Sequence, residues 1–252
     1  MLQRVNDSEG SRQPGRTERA DRGAVATSPR INCWLPAILS TTAGAVDVIG
    51  FLVFGGLFTA HITGNLVVVA AHYVTGGFGQ VGPILAVPVF VLVLGVVVLV
   101  FGGIESKGKS RRALLILHVA LLGACLGLGL GFGPFSNSDS PLAVLAGMFA
   151  VAAMATQNAL VKLALLESPS TAVMTTNTTQ LIVDVASLVR SAEEPDTLGR
   201  IRRRARVTFV CLAGFVAGCV TGAVLELRFG PGALALPVIL AALAVPFGEL
   251  KD

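Results

Sequence analysis

The chain has 252 residues, of which 53% are hydrophobic and only 13% are charged, and its mean hydropathy is +0.76. A soluble domain has about a quarter of its residues charged, so the composition excludes a soluble globular protein and indicates an all-α integral membrane protein. The net charge of +4 comes from separate clusters of Lys and Arg instead of one basic face, so we expect no binding of nucleic acid.

The N-terminal segment, residues 1–32, is polar and mixes Arg, Asp, Glu, Ser and Gly. It holds too few apolar residues to fold alone, so we predict a disordered cytoplasmic tail. It also lacks the apolar core of a secretory signal. The first apolar run is therefore expected to stay in the protein as a membrane span.

Six apolar runs are long enough to cross about 30 Å of hydrocarbon as helices of roughly 20 residues. They are 34–56, 84–104, 112–132, 142–162, 207–227 and 231–248. Two further segments, 61–75 and 171–189, are poorer candidates. The first is short, and the second is rich in Thr, Asn and Gln, which are costly against lipid.

The positions of Lys and Arg decide whether these two segments cross, because basic residues collect on the cytoplasmic side of short loops. If all eight segments cross with the N-terminus inside, 13 of the 19 basic residues lie inside. If only the six long runs cross, 18 lie inside and Arg228 alone lies outside. We therefore predict six transmembrane helices plus two half-membrane helices, re-entrant or broken, with both termini in the cytoplasm.

A seven-residue motif occurs twice, as Thr59–Asn65 and, 112 residues later, as Thr171–Asn177. Each copy lies in a unit of three spans and one half-helix, which divides the membrane region into repeats at 33–133 and 134–252. Three crossings turn the second repeat upside down relative to the first. Two inverted-topology repeats are typical of secondary transporters, whose solute sites lie between the repeats near the bilayer midplane.

Polar residues in and near the motif are the candidates for a substrate or ion site, because polar groups inside a membrane need a partner or a function. They are Asp47, Thr63, Gly64, Asn65, Gln157, Asn158, Thr175 and Asn177. Asp47 interrupts the first span, and Asn158 beside Gln157 takes its place in the second repeat. We predict that Asp47 loads and releases a proton or cation; alternatively, it caps a broken helix or holds the motif by hydrogen bonds.

The residues Thr63, Gly64 and Asn65 mark the predicted start of the first half-helix, where Thr or Asn caps the helix and Gly lets the backbone turn. Backbone N–H groups left free at such a start would bind an anion. In the alternative interpretation both motifs only cap and cross-link the half-helices.

The offset of 112 residues also maps His72 onto Asp184. The pair is a weak candidate for a proton relay, and the alternative is a polar pair at the membrane interface. His61 has the apolar Val173 as its counterpart, so we expect it to lie at the interface instead of binding a ligand. His61, His72 and the motif hydroxyls are also the possible neighbours of Asp47, which needs a partner inside the membrane.

Glycines four residues apart form two faces: Gly214, Gly218 and Gly222, and Gly123, Gly127 and Gly131. Such faces let helices approach closely. We expect them to pack the two halves of the chain together, with a homodimer as the alternative. The four cysteines have no metal-binding spacing and no catalytic constellation is present, so we predict no metal, no cofactor and no enzymatic activity.

Three elements carry a resemblance to a known family: an Asp in the first span, a THxTGN-like element at Thr59–Asn65, and a QNA…ST…TxN element from Gln157 to Asn177. They resemble the YoaK-like family of bacterial inner-membrane proteins of unknown function, over about residues 34–248. The resemblance implies a location in the bacterial plasma membrane. The family usually repeats TGN in its second half, where this chain has Thr175-Thr176-Asn177 and so lacks the glycine.

These features favour a small secondary transporter or permease for a small solute or ion, in which one repeat moves against the other. The lipid bilayer and an unidentified solute or ion are then its partners. The alternative is a membrane protein without transport activity that uses the basic tail and residues 190–206 on anionic lipid or on a regulatory partner. An intramembrane enzyme is a more distant alternative.

Overall fold

A computed structural model describes residues 33–75, 80–104, 107–166, 168–190 and 194–249. The predicted tail at 1–32 lies outside these residues. The described residues form eight α-helices, two 3₁₀ helices and no strand. The α-helices are α1 Trp34–Val53, α2 Ile62–Val74, α3 Val81–Phe101, α4 Lys107–Phe132, α5 Pro141–Ala164, α6 Met174–Arg190, α7 Pro195–Phe229 and α8 Ala235–Ala244. The 3₁₀ helices are Gly230–Leu234 and Val245–Glu249, on either side of α8.

Helix α1 packs along α7 with the two backbones nearly in contact. A Cβ atom on Gly218 would lie 2.1 Å from the carbonyl oxygen of Thr41, and one on Gly44 would lie 2.1 Å from the carbonyl oxygen of Phe215. Only glycine permits such an approach. The glycine face of α7 therefore packs within the chain, as expected from its spacing.

The second glycine face, on α4, makes no close contact with another helix among the described residues. A Cβ atom on Gly123, Gly127 or Gly131 would meet nothing within 4 Å. These three glycines do not join helices within the chain, and their use in a homodimer stays a prediction.

The helices pack in a repeating set of pairs. Helix α1 packs on α7, and α5 packs on α3. Helix α2 packs on α3, and α6 packs on α7. Helix α4 packs on α5, and α8 packs on α1. Two clusters of buried apolar side chains fill the space between these pairs, and α1, α4 and α5 contribute to both.

Contacts between distant residues show which helix ends lie together. At one end of the bundle, the backbone N–H of Val81, which begins α3, donates to Asp139 just before α5, at 2.8 Å. At the other end, Arg111 in the first turn of α4 donates through Nε to the carbonyl oxygen of Gly248, at 3.0 Å. The chain therefore reverses direction between α3, α4 and α5, and again at Gly230, where φ is +52°.

Helices α2 and α6 are short and lie at the periphery of the bundle. Asn65 is the buried residue of α2, and Asn177 and Asp184 are those of α6. Each of these helices follows a connection that turns back alongside the preceding long helix. The sequence prediction of segments 61–75 and 171–189 agrees closely with the observed bounds of both helices.

Five helical stretches of the described chain are long and apolar enough to cross a membrane: 34–53, 81–101, 108–132, 141–164 and 195–248. The last contains the turn at Gly230, beyond which α8 has only 10 residues. The apolar window of α3 has a mean hydropathy of 3.3, yet only 11% of it is buried. Apolar surface on this scale is stable against lipid and not against water. The protein is a helical multi-pass membrane protein.

Candidate functional site

Asp47 lies on α1, six residues before its end, and holds the connection between α1 and α2. Its Oδ1 atom accepts hydrogen bonds from the backbone N–H groups of Thr59 and Ala60, both at 2.8 Å, and from the Thr59 hydroxyl at 3.3 Å. The Asp47 residue is only 5% exposed. A buried carboxylate needs such donors, so Asp47 fixes the first motif against α1.

His61 is the second partner of this carboxylate. Its Nδ1 atom lies 2.6 Å from Oδ2 of Asp47, while the His61 side chain remains 34% exposed. The ring also makes edge contacts with Phe58 and with Phe215 of α7. The return of the chain from the end of α1 brings the His61 ring onto Asp47, which confirms His61 as a neighbour of this carboxylate.

Asn65 closes the same connection from the other side. Its Oδ1 accepts from the backbone N–H of Phe58 at 2.9 Å, and its Nδ2 donates to the carbonyl oxygen of Phe58 at 2.7 Å. A Cβ atom on Gly64 would lie 2.9 Å from the Phe58 ring. The glycine of the motif thus makes room for Phe58, and the asparagine satisfies the backbone there.

The second motif is held in the same way by different side chains. Asn177 donates through Nδ2 to the carbonyl oxygen of Ser170 at 2.6 Å, seven residues earlier, as Asn65 does with Phe58. Gln157 on α5 donates through Nε2 to the Thr171 hydroxyl at 2.9 Å and to the carbonyl oxygen of Leu39 at 3.0 Å. A neutral amide thus stands where the first motif has a carboxylate.

This geometry corrects the predicted equivalence of Asp47 with Asn158. Asn158 donates through Nδ2 to Met154 on its own helix, at 2.8 Å. Gln157 is the residue that binds the first threonine of its motif, Thr171, as Asp47 binds Thr59. A helix turns by 100° per residue, so a shift of one position decides which side chain faces the motif.

Two other predicted residues, Thr63 and Thr175, are exposed. Helix α2 does begin within the motif, at Ile62, but no side chain of the described residues caps it, and the backbone N–H of Gly64 donates to the carbonyl oxygen of His61 at 2.9 Å. The capping role expected of Thr63 is therefore wrong, because a cap at Thr63 requires the helix to begin at Gly64 and it begins two residues earlier.

The predicted pairing of His72 with Asp184 is not observed. Asp184 is fully buried and accepts from Arg204 of α7 through two hydrogen bonds, at 2.6 and 3.0 Å, and from Gln180 at 2.7 Å. His72 lies on α2, which packs on α3, and its buried Nδ1 has no hydrogen-bond partner among the described residues. The offset of 112 residues relates His72 on α2 to Asp184 on α6, but α2 packs on α3 and α6 packs on α7.

A cavity of about 260 Å³ lies beside the second motif. Its polar lining comes from Asn158, Lys162, Ser168 and Ser170. The Ser168 hydroxyl oxygen is buried and has no partner among the described residues. The Ser170 hydroxyl accepts from two backbone N–H groups, so its own hydrogen is directed elsewhere. The cavity is thus lined by one lysine, one asparagine and two serine hydroxyls that have hydrogen-bonding capacity left over.

A family model described as a protein of unknown function (DUF1275) matches residues 35–246. The chain belongs to the DUF1275 family. No curated protein and no solved structure matches the chain. Membership agrees with the resemblance to an uncharacterised family seen in the sequence, and it covers both motifs.

His118 is a buried polar residue of this DUF1275 member that the sequence analysis did not single out. It is fully buried in α4, and its Nδ1 donates to the carbonyl oxygen of Ala153 on α5, at 2.9 Å. Its Nε2 is buried without a partner among the described residues. A histidine inside an apolar run such as 112–132 is costly in lipid, and that cost is the signal that would have identified it.

Removal of either motif asparagine is expected to destabilise the protein. Asn65→Ala breaks both hydrogen bonds to the Phe58 backbone and should lower the free energy of unfolding by about 1–3 kcal/mol. Asn177→Ala breaks one backbone bond and should cost about 1 kcal/mol. Melting temperatures in detergent test this. Thr221→Ala, an exposed substitution on α7, is the control, and an equal effect of Asn65→Ala and Thr221→Ala would contradict the role of Asn65.

Arg204→Met is expected to produce a deficit in stability that depends on pH. Burial alone would raise the pKa of Asp184, but the hydrogen bonds from Arg204 and Gln180 outweigh burial and lower it. The pairing of Asp184 with Arg204 therefore stabilises the wild type fully above pH about 4, and this stability is lost as the pH falls through the lowered pKa of Asp184. Without Arg204, burial raises the pKa, and the variant is least stable at neutral pH.

Melting temperatures at pH 7 and near pH 4 check this expectation. The difference between the wild type and Arg204→Met should be larger at pH 7 and should shrink as the pH falls. Asp184→Asn combined with Arg204→Met has no carboxylate at this position to titrate. The difference in melting temperature between this double variant and Arg204→Met should therefore also be larger at pH 7 than near pH 4. A deficit of Arg204→Met that is equal at both pH values would contradict the pairing.

Proposed function

We propose that this protein is a small secondary transporter or permease built from two inverted repeats, with six transmembrane helices and two half-membrane helices. The observation that carries the proposal is that each helix contact recurs when every helix is replaced by its counterpart in the other half of the chain. Helices α1 to α4 correspond in order to α5 to α8, and each packing pair, such as α1 on α7, has its counterpart, such as α5 on α3. Transporters with discontinuous helices commonly have this arrangement.

The positions of Asp47 and Gln157, the two residues that bind the motifs from the long helices, support the same proposal. Asp47 lies six residues before the end of α1, and Gln157 lies seven before the end of α5. Gln157 binds α1 at Leu39, eight residues from Asp47, which is about 12 Å along the helix. The two motifs thus lie on either side of the middle of α1, as a two-fold axis in the bilayer plane requires.

In this proposal α2 and α6 are half-membrane helices that enter and leave on the same side of the membrane. Asp47 binds two backbone N–H groups of the first connection, and Gln157 binds the Thr171 hydroxyl of the second. In the second connection Ser170 and Asn177 bind the backbone groups, so in both connections these groups have protein partners and need none from lipid. The basic residues then lie on the cytoplasmic side of a bacterial plasma membrane, with both termini inside, and only Arg228 lies outside.

The chemical difference between Asp47 and Gln157 suggests which motif binds the coupling ion. Asp47 and His61 can share a proton across 2.6 Å, and the partly exposed ring of His61 gives a proton or cation a path to the buried carboxylate. Gln157 and Thr171 cannot change charge. We propose that the first motif binds the coupling ion and that the cavity at Asn158 and Lys162 receives the solute.

A combined binding and uptake experiment tests the proposal. Melting temperatures of the purified protein are measured against metabolites and ions across pH, since a ligand that binds the native state raises the melting temperature. Any stabilising solute is then offered to proteoliposomes. We expect Asn158→Ala to lose the stabilisation, and Asp47→Asn to lose uptake driven by an ion gradient. Thr221→Ala, which alters an exposed hydroxyl on α7, should behave like the wild type.

The second candidate is a membrane protein without transport activity, in which the motifs are structural. The observation that favours it is the hydrogen bonding of Asp47, whose two oxygens already accept from Thr59, Ala60 and His61. If no solute shifts the melting temperature while Asp47→Asn simply melts earlier, this second function is the better one. We propose no enzymatic activity in either case.

A further inference from the structure

The outward face of α7 changes from apolar to basic at one point along the helix. Its exposed stripe runs at intervals of three and four residues, the period of one helix face. In the membrane part the stripe carries Phe209, Val216, Val220 and Leu227, which are all at least 59% exposed. The opposite face, at Gly218 and Gly222, is buried against α1. The stripe is therefore the lipid-facing side of α7.

Arg206 and Arg202 continue this stripe toward the N-terminus of α7, and both are exposed. Arg206 is three residues from Phe209, about 4.5 Å along the helix, and Arg202 is about 6 Å further out. The apolar segment 207–227 is about 31 Å long as a helix, close to the thickness of the hydrocarbon layer. The two guanidinium groups thus stand at the depth where phospholipid phosphates lie.

We propose that Arg202 and Arg206 form a binding site for the phosphate headgroup of an anionic phospholipid whose acyl chain lies along Phe209. Guanidinium groups bind phosphate through paired, charge-assisted hydrogen bonds. Two such groups one turn apart, above an apolar stripe, match a headgroup with its chain and not a free anion. The neighbouring Arg204 is already bound to Asp184 and turned away from this stripe.

The test compares two lipids in detergent micelles. Melting temperatures are measured with added dioleoylphosphatidylglycerol and with added dioleoylphosphatidylcholine, and the difference between the two is taken for each variant. We expect phosphatidylglycerol to raise the melting temperature of the wild type more than phosphatidylcholine does. Arg202→Gln combined with Arg206→Gln should lose at least half of that difference. Because the two lipids are compared within each variant, a variant that is less stable without added lipid does not obscure the result.

The matched control is Arg200→Gln combined with Arg228→Gln, which removes the same charge from α7. Arg200 points to another side of the helix and donates to Thr197, and Arg228 lies at the far end. This control should keep the full difference. The proposal is overturned if both double variants lose it equally, if neither loses it, or if inorganic phosphate alone gives the same rise as phosphatidylglycerol.

Discussion

Gly218→Ala is expected to force α1 and α7 apart and to lower the free energy of unfolding by about 3 kcal/mol. The new Cβ atom would lie 2.1 Å from the carbonyl oxygen of Thr41 and 2.9 Å from the backbone nitrogen of Ala45. Both are backbone atoms, which cannot rotate out of the way as a side chain can. The whole interface between the two helices must therefore move to accept one methyl group.

Gly127→Ala on α4 is the matched control for this prediction. It places the same methyl group on a helix glycine where nothing lies within 4 Å. Alanine favours a helix over glycine by about 1 kcal/mol in water, so this variant should be as stable as the wild type or slightly more stable. Unfolding in a denaturing detergent compares the two variants directly. Equal stability of Gly218→Ala and the wild type would contradict the close packing of α1 on α7.

Asp47→Ala should have the second large effect, a loss of about 2–5 kcal/mol. The substitution leaves the backbone N–H groups of Thr59 and Ala60 buried without an acceptor, and each such group costs about 1–3 kcal/mol. It also removes the partner of His61. We expect a large fall in the melting temperature and in the yield of folded protein.

Asp47→Asn separates the hydrogen bonds from the charge. The amide oxygen can still accept from Thr59 and Ala60, so most of the stability should remain, while the carboxylate that His61 contacts is replaced by a neutral amide. The melting temperature of Asp47→Asn should therefore fall between those of the wild type and Asp47→Ala. If Asn and Ala at this position are equally destabilising, the charge and not the backbone hydrogen bonds holds the motif.

The sequence predicted much of the fold because lipid imposes simple rules. Hydropathy located α1, α3, α4 and α5 to within a few residues at most of their ends, since each must carry enough apolar residues to span the hydrocarbon layer. It was less informative at 231–248, where the structure has only a ten-residue α-helix between two 3₁₀ helices. Hydropathy measures the apolar content of a segment and does not report its hydrogen-bonding pattern.

The site was harder to predict, because its contacts depend on register and on distant neighbours. The need of a buried Asp47 for a partner made His61, His72 and the motif hydroxyls its possible neighbours, and the structure shows that His61 and the Thr59 hydroxyl contact it while His72 lies on α2. Comparison of the two motifs placed Asn158 beside Gln157 as the counterpart of Asp47, and the structure shows that the helix turn directs Gln157 to Thr171. The motif asparagines were found, because a polar residue recurring in an apolar chain is visible without any structure.

The close contact of α1 with α7 also determines which helices can move together. In the proposed division α1 belongs to the first repeat and α7 to the second, so the backbone contact at Gly44 and Gly218 would join the two repeats. A conformational change that separated one repeat from the other would have to break this contact. The rigid units of the protein are therefore expected to be mixed, with α1 and α7 in one and α3 and α5 in the other, so that sliding occurs between helix pairs and not between the two halves of the chain.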